Sequence, residues 1–331
     1  MPTQTVLVTG ATGFIGSHLL PALHQANWQT AVALRCAARQ PCKMPAQSVI
    51  VGDIGERTDW QAALAGVSTV IHLAARAHQI QDNSSNPEKD FWQVNTQGTA
   101  NLVKQCLAAG VQHFIFLSSI GAMATLSSQV LNEDSPCHPD TPYGRSKFKA
   151  EQALIDLAQD SSMAWTILRP TLVYGPGNPG NMARLMKLIN TGLPLPLGSI
   201  QNRRSLLYVG NLVDIILRTL IHPNAQNQIF LCSDGQDLST SALIQKIAHC
   251  RHQPCRLIAL PSAWLRLGGK LGDTVQQILG RPLSLNSETL DRLLGSLWID
   301  NSKLRSRLDW SPPYSLEAGL RHTFHGTGQI A

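Results

Sequence analysis

Aromatic residues are scarce in this chain, 5% of 331, and its basic residues are scattered rather than clustered, so the usual footprint of a nucleic-acid binder is missing. The seven cysteines contain no CxxC pair, and no HExxH or other dense ligand cluster occurs. This excludes the common zinc motifs and a disulfide framework, and no metal is expected. Free thiols suit a reducing compartment, so the expected location is cytoplasmic. The start, MPTQ followed at once by TVLVTG, lacks the basic segment, apolar core and cleavage site of a signal peptide. The longest apolar stretches, such as LVDIILRTLI, are broken by charge and too short to span a bilayer. Acidic residues number 21 against 27 basic ones, and the resulting +6 suits an anionic small substrate.

What the chain does have is alternation. Short runs rich in Val and Ile, TVLVTG (5–10), TAVALR (30–35), SVIVGD (48–53), STVIHLAA (68–75), HFIFLSS (113–119) and WTILRP (165–170), are separated by stretches of helical length. Such a pattern predicts an α/β fold: a Rossmann-type, doubly wound parallel sheet covered by helices on both faces. After Pro170 the Gly/Pro-rich loops YGPGNPGN and TGLPLPLGS end the alternation. RSLLYV, NLVDIILRTLIHP and QIFLCS are expected to return to the first domain. The expected division is a dinucleotide-binding domain over 1–170 plus about 204–233. A smaller, mostly helical substrate lobe would take 171–203 and 234–331. The stretch 261–281, PSAWLRLGGKLGDTVQQILGR, is apolar and basic; it is read as part of that lobe and not as a membrane contact.

Three motifs carry chemistry. LVTGATGFIGSHL sets Gly10, Gly13 and Gly16 between a strand and a helix, where backbone N–H groups and the positive helix end can hold a diphosphate. Alone, such a loop is an ordinary strand–turn–helix as readily as a cofactor site. TPYGRSKFKAEQAL places Tyr143 and Lys147 four apart, on one helix face, where the ammonium is expected to favour the phenolate and lower the Tyr143 pKa. Ser119 ends the strand HFIFLSS, at the carboxyl edge of the sheet where open α/β folds bind ligands. A surface Tyr–Lys pair remains the alternative until Ser119 and the glycine loop join it.

Taken in that order, these motifs resemble the extended short-chain dehydrogenases/reductases, the NAD-dependent epimerase/dehydratase family that works on nucleotide sugars, over nearly the whole chain. The resemblance implies a catalytic set of Ser119, Tyr143 and Lys147. It also implies a cofactor site of Gly10, Gly13, Phe14, Ile15, Gly16, Arg35, Asp53, Ile54, Leu73, Ala74, Ala75 and Asn95, with Tyr143 and Lys147. A UDP-sugar would be held by Ser119, Asn181, Arg204 and Arg292, and a homodimer through helices near 91–109 and 143–158 is an analogy. Arg169 and Pro170 match the strand that leads to the substrate lobe. For Arg204 and Arg292 a solvated surface charge is the alternative.

Departures narrow the reaction. Dehydratases of the family follow the catalytic residue with Asp-Glu, whereas Ser119 is followed by Ile120 and Gly121. That leaves chemistry at one carbinol, a 4-epimerase or a 4-keto reductase. Met123 stands where the epimerase pattern has Tyr. Arg35 stands in place of the acid that would bind the ribose 2′-OH of NAD, and Arg35 and Arg39 together favour NADP over NAD. GLPLPLGSIQNRRSLLYVGNLVD and RLLGSLWIDNSK resemble the subgroup forming UDP-N-acetylquinovosamine. The expectation is therefore reduction of a UDP-4-keto-6-deoxy-N-acetylhexosamine at C4 with NAD(P)H, in bacterial polysaccharide synthesis. The alternative is a UDP-glucose or UDP-N-acetylglucosamine 4-epimerase, possible also on a polyprenyl-diphosphate-linked sugar. A non-catalytic dinucleotide sensor is the alternative of another class.

Overall fold

A computed structural model of the chain describes residues 5–37, 47–77, 86–178, 181–261, 263–267, 269–270, 273 and 287–325. Arg39, Cys42 and most of 261–281 lie outside the described residues. The Val/Ile-rich runs form β1 (Thr5–Thr9), β2 (Gln29–Leu34), β3 (Gln47–Ile50), β4 (Val67–His72), β5 (His113–Leu117) and β6 (Ala164–Pro170). With β7 (Gln228–Cys232) they make a seven-stranded sheet in the order β3-β2-β1-β4-β5-β6-β7, parallel throughout.

Parallel strands need crossover helices, and those helices bury both faces. Val6, Val8, Ile71, Ile115 and Leu168 point to one face, under Leu19, Leu23, Leu212 and Ile216. These come from the helices α1 (Phe14–Gln25) and Val209–Ile221. Leu7, Val70, Phe114, Phe116 and Ile167 point to the other face, under Leu102, Ala150 and Leu154. Those belong to the helices Gly98–Ala108 and α5, the latter Pro142–Ala158. Each fully buried Leu or Ile contributes about 1.5–3 kcal/mol over its exposed state.

RSLLYV departs from expectation. Its strand, Arg204–Tyr208, pairs with Leu172–Tyr174 in parallel and with Asp237–Leu238 in antiparallel, in a separate three-stranded sheet. Only the helix Val209–Ile221 and β7 that follow it return to the large sheet. β6 has β5 on one side and β7 on the other, so the strand cannot pair with β6. Around the small sheet pack Tyr174, Leu206, Tyr208, Ile244, Ile247, Leu316 and Leu320 as a second core.

Candidate active site

The turn after β1 is built for close approach. Gly10 has φ +70°, and a Cβ there would lie 2.7 Å from the Ala74 nitrogen. A Cβ on Gly16 would lie 2.4 Å from the Gly10 carbonyl oxygen, so helix α1 is seated directly on the turn. A Cβ on Gly13 would meet only that carbonyl, at 3.2 Å, which leaves its other side open. Gly13 caps α1 with no side-chain hydrogen bond, so the first-turn N–H groups, including those of Phe14 and Ile15, have no side-chain cap. This cradle fits the diphosphate of a dinucleotide.

The floor of the cradle is pinned from β4. Thr9 Oγ1 lies 2.7 Å from His72 Nδ1 and accepts the Ala74 N–H at 3.2 Å, while His72 Nε2 lies 3.1 Å from Thr99 Oγ1. The Leu73 N–H donates to the Thr9 carbonyl, 3.3 Å. Leu73, Ala74 and Ala75 thus line the loop beside Gly10. Burial, and then the Lys147 charge, push His72 down to about 3, so it is neutral. Asn95 lies in a π-helical segment, Trp92–Gln97, a geometry common at functional sites. Its Oδ1 accepts the Arg76 N–H at 2.8 Å, and its Nδ2 donates to the Arg76 carbonyl at 3.0 Å and to Ser146 Oγ at 2.9 Å. Asn95 therefore ties the loop after β4 to helix α5, a junction sequence alone does not display.

Arg35 and Asp53 meet. Nε of Arg35 is ion-paired with Oδ1 of Asp53, and both side chains are exposed. Ile54 follows on the same rim and would touch a Cβ on Gly98. The arginine expected, with Arg39, to accommodate a 2′-phosphate thus already has a carboxylate beside it.

The proposed proton-transfer set is positioned by α5. Pro142 and the N-cap Thr141, whose Oγ1 accepts the Gly144 N–H at 3.0 Å, start the helix just ahead of Tyr143. Ser119 N-caps a short 3-10 turn, Ile120–Ala122, its Oγ accepting the Gly121 N–H at 3.1 Å. Tyr143 is hydrogen-bonded to Ser119 and has the Phe91 ring edge-on at 6.0 Å. Lys147 is 1% exposed, its Nζ 4.0 Å from the centre of the Phe116 ring.

The expected depression of the Tyr143 pKa is not what the geometry produces. Burial raises it, and the Ser119 hydrogen bond offsets only part of that. Burial instead lowers Lys147 to about 7, against an upward pull from Glu151. Desolvation penalises the ammonium and the phenolate alike, and it outweighs the other influences on Tyr143.

Of the residues expected to meet a substrate, Arg204 heads the small sheet, half-buried and bridged to Leu297. Asn181 opens the helix Asn181–Asn190 and Arg292 lies in the helix Ser287–Leu294; their side chains lie outside the described residues. Met123 is fully buried against Ile120, Leu231, Leu297 and Ile299, a core position. Sequence reasoning passed over Ser118, Glu151 and the linking role of Ser146. Glu151, four residues after Lys147, was the available signal.

A glycine cradle after β1, Ser119 after β5 and Tyr143 and Lys147 on α5, over a 3-2-1-4-5-6-7 sheet, define an extended short-chain dehydrogenase/reductase, an enzyme class. The chain belongs to the NAD dependent epimerase/dehydratase family, which matches residues 6–232. It is 40% identical over 325 residues to a UDP-glucose 4-epimerase of Vibrio cholerae, covering 97% of this chain and 94% of the relative. It is 30% identical, with the same coverage, to the N-acetyl-alpha-D-glucosaminyl-diphospho-ditrans,octacis-undecaprenol 4-epimerase of Escherichia coli O157:H7. In fold it resembles the Bacillus cereus UDP-glucuronic acid 4-epimerase solved with UDP-glucuronic acid and NAD, with a TM-score of 0.75 at 21% identity and 98% of each chain covered. Among the described residues no helix is long and apolar enough to cross a membrane.

Proposed function

We propose that the chain is a nucleotide-sugar 4-epimerase acting on a UDP-hexose or UDP-N-acetylhexosamine with NAD. The observation that carries this reading is Ser119 hydrogen-bonded to Tyr143, with Lys147 one turn on and no carboxylate in the turn Ile120–Ala122. One acid–base group and one orienting hydroxyl suit reversible oxidation of a carbinol. Elimination of water would need a further acid and base.

Held in this site, a nicotinamide cofactor would supply reversible hydride chemistry at C4 of the sugar. As the phenolate, Tyr143 would take the C4 hydroxyl proton, becoming the phenol, and would give that proton back when C4 is reduced again. Ser119 Oγ orients the same sugar oxygen, and the Lys147 ammonium favours the phenolate as it forms. The cradle of Gly10, Gly13 and Gly16 would hold the cofactor diphosphate, and Asp53 and Ile54 its adenosine end. Arg204, with Asn181 and Arg292, would hold the UDP diphosphate, a pair of anions suited to a guanidinium fork.

The 4-keto reductase reading rested on Arg35, on Met123 and on the resemblance of GLPLPLGSIQNRRSLLYVGNLVD and RLLGSLWIDNSK to the UDP-N-acetylquinovosamine-forming subgroup. Met123 is a core residue, and the Arg35 charge is opposed by Asp53, so both lose weight. The names of the two relatives also favour epimerisation. The reductase remains the second reading through the exposure of the Arg35 guanidinium, which leaves it reachable by a 2′-phosphate. Incubation with UDP-glucose or UDP-N-acetylglucosamine and no added cofactor should yield the 4-epimer. No epimer, together with stoichiometric oxidation of NADPH or NADH by a UDP-4-keto-6-deoxy-N-acetylhexosamine, would replace this reading by the reductase. The sugar diphospho-undecaprenol tests the lipid-linked alternative.

A further inference from the structure

Tyr143, Lys147 and Glu151 stand at intervals of four along α5, one above another. Glu151 is 1% exposed and touches two other elements at once. From β6, Arg169, 3% exposed, donates through Nε to both carboxylate oxygens at 3.0 and 3.2 Å and through a terminal nitrogen to Oε2 at 2.6 Å. From the end of β5, the Ser118 hydroxyl donates to Oε1. Ser118 is the residue before Ser119. One carboxylate therefore joins the strand end bearing Ser119, the helix bearing Tyr143 and Lys147, and the neighbouring strand.

We propose that Glu151 is a positioning residue of the catalytic centre, clamping Ser119 against the Tyr143–Lys147 helix and keeping Lys147 an ammonium. The proposal rests on the reading of Tyr143 and Lys147 as acid–base group and partner. The groups facing Lys147 are few. Tyr143 and Glu151 lie on its own helix, neutral His72 on β4, and the Phe116 ring on β5. Arg169 is ion-paired with Glu151, and Cys137 is hydrogen-bonded to Arg169. Glu151 is therefore the anion that offsets both buried cations. Burial alone drives Lys147 toward the amine, and Glu151 opposes this. An ammonium that loses its anion and keeps a guanidinium nearby titrates lower, by about one unit or more.

The test reads Lys147 directly. Protein with 13C at lysine Cε is titrated by NMR, and the Lys147 signal is assigned by its loss in Lys147→Met. In the wild type it should titrate near neutrality. In Glu151→Gln the midpoint should fall by about one unit or more. In Glu151→Asp it should stay close to the wild type, and in Arg169→Gln it should not fall. The turnover of Glu151→Gln should drop about fivefold or more at pH 7 and recover on acidification, where Lys147 regains its proton. A purely structural role would depress every variant's melting temperature without separating the midpoints by sign. An unchanged Lys147 midpoint in folded Glu151→Gln overturns the proposal. Should that variant not fold, a Lys147 midpoint that falls in Arg169→Gln overturns it equally. Because the NMR readout needs no substrate, a wrong assignment of the reaction shows separately, as a normal titration in a protein that epimerises nothing.

Discussion

Substituting Gly144 by Ala tests whether catalysis depends on the seating of α5. A Cβ at Gly144 would lie 2.1 Å from the Gly121 carbonyl oxygen and 3.1 Å from Thr141 Oγ1. Ordinary contact begins at 3.4 Å, so the shortfall against the carbonyl is 3.4 − 2.1 = 1.3 Å. That carbonyl is backbone in the turn after Ser119, so a side-chain rotation cannot relieve the clash. Either the first turn of α5 or the turn Ile120–Ala122 must retreat, and both movements part Tyr143 from Ser119. A misplacement of about 1 Å in a reacting group costs about a hundredfold in rate. Overpacking costs about 1–3 kcal/mol, partly offset by about 1 kcal/mol of helix propensity gained over glycine. The melting temperature should therefore fall by only a few degrees while kcat falls about a hundredfold, read from steady-state kinetics beside calorimetry. A folded Gly144→Ala enzyme with kcat within about threefold of wild type would refute the reasoning.

Tyr143→Phe removes the proposed proton carrier and should lower turnover by about 10²–10⁴ while leaving NAD binding by isothermal calorimetry intact; retained turnover would displace Tyr143 from the mechanism. Arg35→Asp sets two carboxylates together at the rim and should shift the ratio of NAD to NADP affinities towards NAD. Its stability should change by less than about 1 kcal/mol, because the ion pair is exposed. An unchanged affinity ratio would show that Arg35 does not reach the ribose 2′ position. His113, 8% exposed and bonded to Thr166 Oγ1 at 2.8 Å, is lowered by burial to about 4. A histidine held neutral adds stability above its unfolded pKa of about 6.5, and the benefit is lost as pH falls from there towards 4. Between pH 7 and 5 this one group should remove about 2 kcal/mol, so urea unfolding of His113→Gln should show a correspondingly smaller acid loss than the wild type. Equal losses in the two proteins would contradict it.

Much of the architecture was legible locally. The runs of Val and Ile read as buried parallel strands because each strand is covered on both sides and needs no polar face. The glycines at 10, 13 and 16 read as a cradle because backbone conformation and close approach are properties of a few consecutive residues. Tyr143 and Lys147 read as neighbours because helical spacing alone brings residues four apart together. Where the reading strayed, the deciding contact came from far along the chain. RSLLYV has the texture of a central strand, and only the occupied neighbours of β6 send it to a separate sheet. Met123 looked like a change in the site, and only its packing against Leu231, Leu297 and Ile299 makes it a core residue.

The amino-acid sequence by itself determined the order of the strands and helices, the glycine turn after β1 and the placement of Tyr143 and Lys147 on one helix. Those features depend on periodicity and backbone geometry within one element. Only the tertiary structure decided the charges. Arg35 acquires Asp53 as a partner across 18 residues, and burial raises Tyr143 where spacing alone suggested the reverse. Glu151 is drawn between Ser118 and Arg169 from two other strands. A pKa or an ion pair depends on how much water is excluded and on which distant charge is brought near, and both are set only when the helices close over the sheet.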